Sequence, residues 1–120
     1  MIRSLSELTA ILRHFADERD WEQFHSPKNL VMALGVEVAE LAEHFQWLTQ
    51  QQSQRLPPAQ KQAVGEELAD VLIYLVRLAD RLDLDLLAAA EKKIALNAKK
   101  YPVSKSKGCS ERPQTGQETS

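Results

Sequence analysis

Apolar side chains recur along this chain every three or four residues, and short polar stretches separate the runs. The first run predicts a helix from about Ser4, with Glu7 three residues later completing a capping box, to Arg19 or Asp20. Its apolar stripe consists of Leu5, Leu8, Ile11, Leu12 and Phe15. Residues 21–25 follow as a short connector. No run alternates apolar and polar residues as half-buried strands do, so the pattern favours an all-α fold.

A second helix is predicted to begin at Ser26 and Pro27, an N-cap followed by a proline at the first helical position, and to end near Leu48. Its apolar face consists of Leu30, Leu34, Val38, Leu41 and Phe45. Gly35 lies inside this helix, where a glycine costs up to about 1 kcal/mol relative to alanine. We therefore expect close packing against another helix at Gly35.

A polar loop is predicted over residues 49–58, which end in two prolines. A third helix is predicted to follow, from about Ala59 to Leu82. Its apolar positions are Val64, Leu68, Val71, Leu72, Leu75, Leu78 and Leu82. The pattern therefore places two long amphipathic helices on either side of one loop.

A fourth helix is predicted to start after Asp83, as N-cap, and to end near Lys100, just before Pro102. Residues 104–120 are rich in Ser, Lys, Gly, Gln and Thr and show no apolar periodicity, which predicts a disordered polar tail. The sequence thus predicts one four-helix, bundle-like domain over residues 1–103, followed by this tail.

Composition narrows the class of protein. The chain has 120 residues, 43% of them hydrophobic, and a net charge of −2, which gives no basic field to attract nucleic acid. No apolar run approaches the roughly 20 residues that cross a membrane, and the N-terminus lacks the apolar stretch of a secretory signal. The single cysteine, Cys109, cannot form an internal disulfide. We expect a soluble cytoplasmic protein that binds neither nucleic acid nor membrane.

Two acidic pairs lie thirty residues apart inside apolar helical runs, Glu37 with Glu40 and Glu67 with Asp70. Each pair places two carboxylates one turn apart on one helix face. If the second and third helices are antiparallel neighbours, the four carboxylates converge, which is costly for buried charges without a cation. Ligands that are all oxygens indicate Mg²⁺ or Mn²⁺. The sequence therefore predicts a metal site acting on phosphates.

Other interpretations of the acids remain open. They can form ordinary solvated faces, in which case the chain is a non-catalytic helical interaction module. Glu43 and Glu66 are neighbouring acids that can serve as outer ligands. His44 invites comparison with di-iron bundles, which use Glu-x-x-His on each of two helices. The third helix offers no histidine, so the di-iron interpretation is disfavoured.

Three aromatic residues lie near the acids along the chain, Trp21, Trp47 and Tyr74. His44 and Trp47 extend the stripe of Glu37 and Glu40 on the second helix, and Tyr74 lies one turn beyond Asp70. Aromatic faces stack on nucleobases. The alternative, that these residues belong to the core or an interface, has equal support from spacing.

On the fourth helix Lys93, Asn97 and Lys100 share one face, and Tyr101 follows. Cations facing a metal cluster can bind phosphate oxygens. The alternative is a solvated basic helix end that complements the helix dipole. No Walker-type glycine loop, zinc-like Cys/His spacing or nucleophilic Ser or Cys motif is present.

The acidic motif resembles that of the all-α nucleotide pyrophosphohydrolases of the MazG-like superfamily, and most closely the dCTP pyrophosphatase family. The resemblance covers about residues 5–103, and the segments that carry it are residues 15–25, 37–47, 66–76 and 97–102. It implies hydrolysis of a nucleoside triphosphate between the α and β phosphates, with dCTP or a modified dCTP as substrate. The same chemistry on another deoxynucleotide such as dUTP is the alternative.

The resemblance also implies roles for individual residues. Glu37, Glu40, Glu67 and Asp70 would bind Mg²⁺ at the catalytic centre; Trp21, Trp47 and Tyr74 would line the base and sugar pocket; Lys93, Asn97 and Tyr101 would meet the phosphates. Family members form tight oligomers, which implies a homotetramer built as a dimer of dimers. Leu12 stands where some relatives place a histidine of the base pocket.

Overall fold

The computed structural model describes residues 1–110. Its helices are α1 (Leu5–Glu18), a 3₁₀ turn (Glu22–Phe24), α2 (Pro27–Glu43), α3 (Gln50–Ser53), α4 (Pro58–Arg81), α5 (Leu86–Lys100) and α6 (Val103–Ser106). No strand occurs over these residues, so the all-α prediction is confirmed. The four predicted helices correspond to α1, α2, α4 and α5. The chain divides into one compact unit over Met1–Leu84 and a second from Asp85 onward.

Side-chain caps begin the first two long helices where the sequence predicts them. The Ser4 hydroxyl accepts the Glu7 N–H at 3.0 Å, and the Ser26 hydroxyl accepts the Asn29 N–H at 3.1 Å. The Glu7 carboxylate accepts the N–H of Arg3 at 2.9 Å, not that of Ser4. The capping box predicted for α1 is therefore only half formed.

The second helix ends five residues earlier than predicted, at Glu43. In a continued helix the His44 carbonyl would accept the Leu48 N–H. Here it accepts the Gln60 side-chain amide at 3.1 Å, and the Leu48 N–H bonds to Phe45 at 2.9 Å. Trp47 therefore lies in the turn beyond α2 and not on the helical stripe that the sequence assigned to it, whereas His44 is the C-cap of the helix.

The polar segment after α2 is not wholly a loop. Thr49 and Gln52 form a complete capping box, in which each side chain accepts the other's backbone N–H, at 3.0 and 3.1 Å. This box starts the single turn of α3. The 49–58 loop prediction is thus corrected to a short helix flanked by turns.

The fourth predicted helix starts two residues later than expected. Asp83 adopts a left-handed backbone with φ of 54°, and Asp85 caps α5 by accepting the Ala88 N–H at 3.0 Å. Within the predicted tail, the turn α6 includes residues 104–106. Residues 111–120 lie outside the described residues, and for them the tail remains a prediction.

Helices α2 and α4 make the most extensive interhelical contact, followed by α1 and α4. Helices α2 and α4 run antiparallel. Gln60 at the start of α4 bonds to His44 at the end of α2, while Glu67, further along α4, meets Glu37, nearer the start of α2. The apolar side chains buried in this unit are Ala16, Leu30, Val64, Val76 and Ala79. The core therefore lies along α4, between α1 and α2.

Large apolar side chains remain exposed on both long helices, among them Val31, Met32 and Val36 on α2 and Leu68 and Leu72 on α4. A Cβ built at Gly35 meets no atom within 4 Å, so the prediction of close packing there is wrong for the single chain. Within residues 1–110, we find no helix that combines the length and apolar character needed to span a membrane.

Candidate functional site

Three of the four predicted metal ligands meet between α2 and α4. One carboxylate oxygen from each of Glu37, Glu67 and Asp70 lies within 4.8 Å of the others. The Oε2 atoms of Glu37 and Glu67 are both buried and have no hydrogen-bond partner. Buried carboxylate oxygens without a partner are costly. The two unpaired oxygens therefore destabilise the cluster unless a proton or a cation is bound there.

The crowding of acids changes the protonation of Glu37. Desolvation, a hydrogen bond with Glu67 and the charges of Glu40 and Asp70 together raise the pKa of Glu37 to about 7. Glu40 lies outside the group of three and acts on Glu37 mainly through its charge. A set of carboxylate oxygens with two orphaned atoms fits a hard divalent cation, which supplies the missing positive charge. The acidic cluster is thus a possible metal-binding site.

The three predicted aromatic residues occupy different settings. Trp47 is 87% exposed, in the turn that follows α2. Tyr74 is half-buried on α4, one turn after Asp70. Trp21 is 41% exposed, and its ring lies 5.8 Å from that of Phe15 in an edge-on arrangement. Trp47 and Trp21 each present ring surface to which a planar ligand has access.

The segment that carries Trp21 is held against α4 by arginines. Arg77, only 3% exposed, donates from Nη2 to Glu22 Oε1 at 2.8 Å. Arg81 pairs with the other oxygen of Glu22 and donates from Nε to the His25 carbonyl at 3.0 Å. Burial and the charge of Arg77 lower the pKa of His25. A neutral His25 therefore lies beside the two arginines.

Asp80 completes this ion network. It accepts Arg77 Nη1 at 3.0 Å and forms a two-point ion pair with Arg13 of α1. The hydrogen bond from Arg13 lowers the pKa of Asp80 against the opposing effect of its partial burial. The network therefore favours the ionised form of Asp80 and links α1, the 3₁₀ turn and α4.

The remaining predicted substrate-binding residues belong to the second unit. Lys93 and Asn97 are exposed on α5, one turn apart, and Tyr101 is the half-buried residue at its C-terminal cap. Their assignment to phosphate remains a prediction.

Arg77 and Glu22 are not among the site residues predicted from the sequence. A signal was available, since Arg77 is a charged residue inside the apolar run of α4, at the spacing that continues the face of Asp70 and Tyr74. The partner of Arg77 could not be predicted from local spacing, because Glu22 lies 55 residues away along the chain.

Known proteins similar to this chain support its assignment to the family that the acidic motif resembles. A family model described as the MazG-like family matches residues 32–114, more than half of the chain. A solved structure of a pyrophosphatase from Archaeoglobus fulgidus superposes with a TM-score of 0.78. It shares 41% sequence identity, over 85% of this chain and 95% of that one.

Two curated mammalian proteins are also similar to this chain in sequence. The dCTP pyrophosphatase 1 of Mus musculus is 50% identical over 107 residues, which are 88% of this chain and 63% of that protein. The dCTP pyrophosphatase 1 of Homo sapiens is 48% identical over 102 residues, 83% of this chain and 60% of that protein. The chain thus spans about three fifths of the length of the curated relatives it matches.

Proposed function

Because this chain belongs to the MazG-like family, we propose that it hydrolyses a deoxynucleoside triphosphate to the monophosphate and pyrophosphate. The observation that carries the proposal is the meeting of Glu37, Glu67 and Asp70, with two buried oxygens that have no partner. The names of the relatives, dCTP pyrophosphatase 1, support dCTP or a modified dCTP as substrate. We assign the chain to housecleaning of the nucleotide pool.

The metal in this proposal is Mg²⁺, with Mn²⁺ as a substitute, held by Glu37, Glu40, Glu67 and Asp70. A bound divalent ion supplies charge neutralisation of the triphosphate and of the leaving pyrophosphate. The carboxylates of α2 and α4 would hold this ion, and through it the phosphate end of the substrate, between the two helices. One of the glutamates would take the proton from the attacking water.

The base end of the substrate is assigned to the aromatic residues. Trp47 and Trp21 offer exposed ring faces on which a base can stack. Tyr74 shares the α4 face of Asp70, which supports a place for it between the base and the phosphates. Lys93, Asn97 and Tyr101 are proposed to bind phosphate oxygens, and the exposure of Lys93 and Asn97 on one face of α5 supports this.

We further propose that the protein is a homotetramer, a dimer of dimers, in the cytoplasm. The exposed apolar side chains of α2 and α4 support assembly, since soluble monomers rarely leave large contiguous apolar patches exposed. A chain with one cysteine, and hence no internal disulfide, suits a reducing compartment. Light scattering on the full chain measures the assembly directly.

The test of function is pyrophosphate release from a panel of canonical and 5-modified nucleoside triphosphates, with Mg²⁺ and with EDTA. We expect release that requires the metal and is fastest with dCTP or a modified dCTP. Metal-dependent release with dUTP preferred would keep the reaction and correct the base. No release from any substrate would contradict the proposal and favour a helical interaction module.

A further inference from the structure

We propose that Arg77 is a positioning residue that fixes Trp21 relative to the acidic cluster and so sets the affinity for the base end of the substrate. The inference rests on the proposed function and adds a residue to it. No hydrogen bond or ion pair joins Arg77 to the acidic cluster of Glu37, Glu67 and Asp70 or to Trp21. Its action passes through Glu22, the residue that follows Trp21 in the chain.

The primary tether is an ion pair between a buried arginine and a half-buried glutamate. Arg77 lies 3% exposed inside α4, with Nη2 on Glu22 at 2.8 Å and Nη1 on Asp80 at 3.0 Å. A guanidinium presents its donors in a fixed planar fork, so two occupied carboxylate partners define its orientation. The Glu22 carboxylate is therefore held at a set place along α4.

A second tether acts at the far end of the same segment. Arg81, one turn after Arg77, pairs with the other oxygen of Glu22 and donates to the backbone carbonyl of His25 at 3.0 Å. The two arginines thus hold both Glu22 and His25 to α4. The 3₁₀ turn between these residues, Glu22–Phe24, is bracketed by ties to one helix.

Trp21 itself is tied elsewhere. The backbone N–H of Trp21 donates to the Ala16 carbonyl at 2.9 Å. The centre of its indole ring lies 5.8 Å from that of the Phe15 ring and 6.1 Å from that of the His25 ring. These contacts fix Trp21 to α1 and to its own segment. Within the described residues, the hydrogen bonds and ion pairs that join this segment to α4 are those of Arg77 and Arg81.

The helix that receives these ties is the one that carries the acids. Asp70, Tyr74, Arg77 and Arg81 follow at steps of four, three and four residues, which keeps them on one face of α4. A displacement of Trp21 along α4 is therefore a displacement relative to Asp70 and Glu67. Misplacing a substrate contact by about 1 Å is enough to weaken a productive pose strongly.

A purely structural role is the competing explanation, since breaking a buried ion pair destabilises many proteins. The two roles predict different effects of replacing Arg77. If the role is structural, the melting temperature falls, while the KM of the folded protein and the solvent exposure of Trp21 stay the same. A positioning role raises KM, loosens Trp21 and leaves kcat nearly unchanged, because the acids of α4 stay in place.

The experiment compares Arg77→Met and Glu22→Gln with Arg13→Met in the full chain. Arg13 is the matched control, since it belongs to the same network through its ion pair with Asp80 and forms no hydrogen bond or ion pair with Glu22. We expect Arg77→Met and Glu22→Gln to raise KM about tenfold with kcat within about threefold, and Arg13→Met to leave KM within about twofold. Arg77→Lys keeps the charge without the fork, and we expect it to restore KM only in part.

A second readout needs no substrate. In a Trp47→Phe background Trp21 is the remaining tryptophan, so acrylamide quenching of its fluorescence reports its exposure. We expect stronger quenching in the Arg77→Met and Glu22→Gln proteins than in Arg13→Met. Glu22→Gln also keeps the test open if Arg77→Met does not fold, because Arg77 then retains Asp80.

The outcomes separate this inference from the proposed function. Folded Arg77→Met and Glu22→Gln with the KM and quenching of the parent would overturn the inference while nucleotide hydrolysis stands. An equal rise in KM in Arg13→Met would overturn it too, because the effect would then belong to the network as a whole. A parent protein that hydrolyses no nucleotide would refute the proposed function, and the role of Arg77 in affinity would fail with it.

Discussion

Glu37 of α2 and Glu67 of α4 face each other between antiparallel helices, and each leaves its Oε2 buried without a hydrogen-bond partner. Two such oxygens side by side repel each other when both groups are ionised. Either a proton or a cation relieves that repulsion. The competition between these two solutions generates the first predictions.

We expect Mg²⁺ alone to raise the melting temperature of the protein, because a ligand that binds only the folded state stabilises it. At a concentration of 100 Kd the gain is about 2.7 kcal/mol. In Glu67→Gln the shift should vanish, while the metal-free melting temperature should not fall, because one of the repelling charges is gone. Glu91→Gln, an exposed change on α5, should keep the full shift. A full Mg²⁺ shift in Glu67→Gln would contradict the site.

Turnover should depend on each of the four acids. We expect Glu37→Gln, Glu40→Gln, Glu67→Gln and Asp70→Asn each to reduce kcat by about 10² or more, because each removes an ionised ligand of the metal that neutralises the phosphates. The measurement is pyrophosphate release at saturating Mg²⁺ and nucleotide. Circular dichroism confirms that the fold is kept. Activity retained in all four variants would refute their assignment.

The stability of the metal-free protein should fall as pH rises. The pKa of Glu37 is about 7 in the folded state, above its ordinary value of 4.5, so the folded protein binds the additional proton between these values. This contribution is complete below pH 4.5 and is lost as pH passes through about 7. Thermal unfolding in EDTA between pH 5 and about pH 8 measures it. Glu37→Gln should flatten the profile, and an unchanged slope would assign the effect elsewhere.

The affinity for Mg²⁺ should depend on pH in the opposite direction, because Mg²⁺ must displace the proton that Glu37 carries at low pH. We therefore expect the apparent Mg²⁺ affinity to weaken as pH falls below about 7. Calorimetry in buffers of different ionisation enthalpy counts the released proton. Binding without proton release near neutral pH would contradict this expectation.

Trp47 should matter for affinity and not for stability. Its side chain is 87% exposed, so Trp47→Ala removes little buried surface and should leave the melting temperature unchanged. Loss of a stacked base costs about 1–3 kcal/mol, which raises KM roughly 5- to 150-fold. Trp47→Phe should retain most of the affinity. Equal KM values for the alanine, phenylalanine and parent proteins would remove Trp47 from the site.

Asp83→Gly should stabilise the protein by about 0.5–1 kcal/mol, because Asp83 has φ of 54°, a left-handed conformation that suits glycine. The N–H of Leu84 already bonds to the Ala79 carbonyl at 2.8 Å, so the turn itself is kept. Urea unfolding measures the change. Asp83→Ala, the control, should not stabilise, and an equal gain in both variants would contradict the backbone explanation.

Local signals located most of the fold. Ser26 and Pro27 start α2 as predicted, and the acidic pairs lie on the helices expected of them, since capping and periodicity depend on residues within about one turn. Gly35 shows the limit of such signals. It predicts close packing, but the single chain brings no atom within 4 Å of its Cβ position.

The sequence by itself determined the all-helical class, the main helices and the two acidic pairs, because each of these follows from side chains three or four positions apart. The tertiary structure alone decided where α2 ends, since the Gln60 amide takes the His44 carbonyl from the helix. It also decided which residue stabilises the Trp21 segment, because Arg77 and Glu22 meet only when α4 packs beside the 3₁₀ turn. Both outcomes depend on hydrogen-bond partners distant in the chain, and local periodicity carries no information about them.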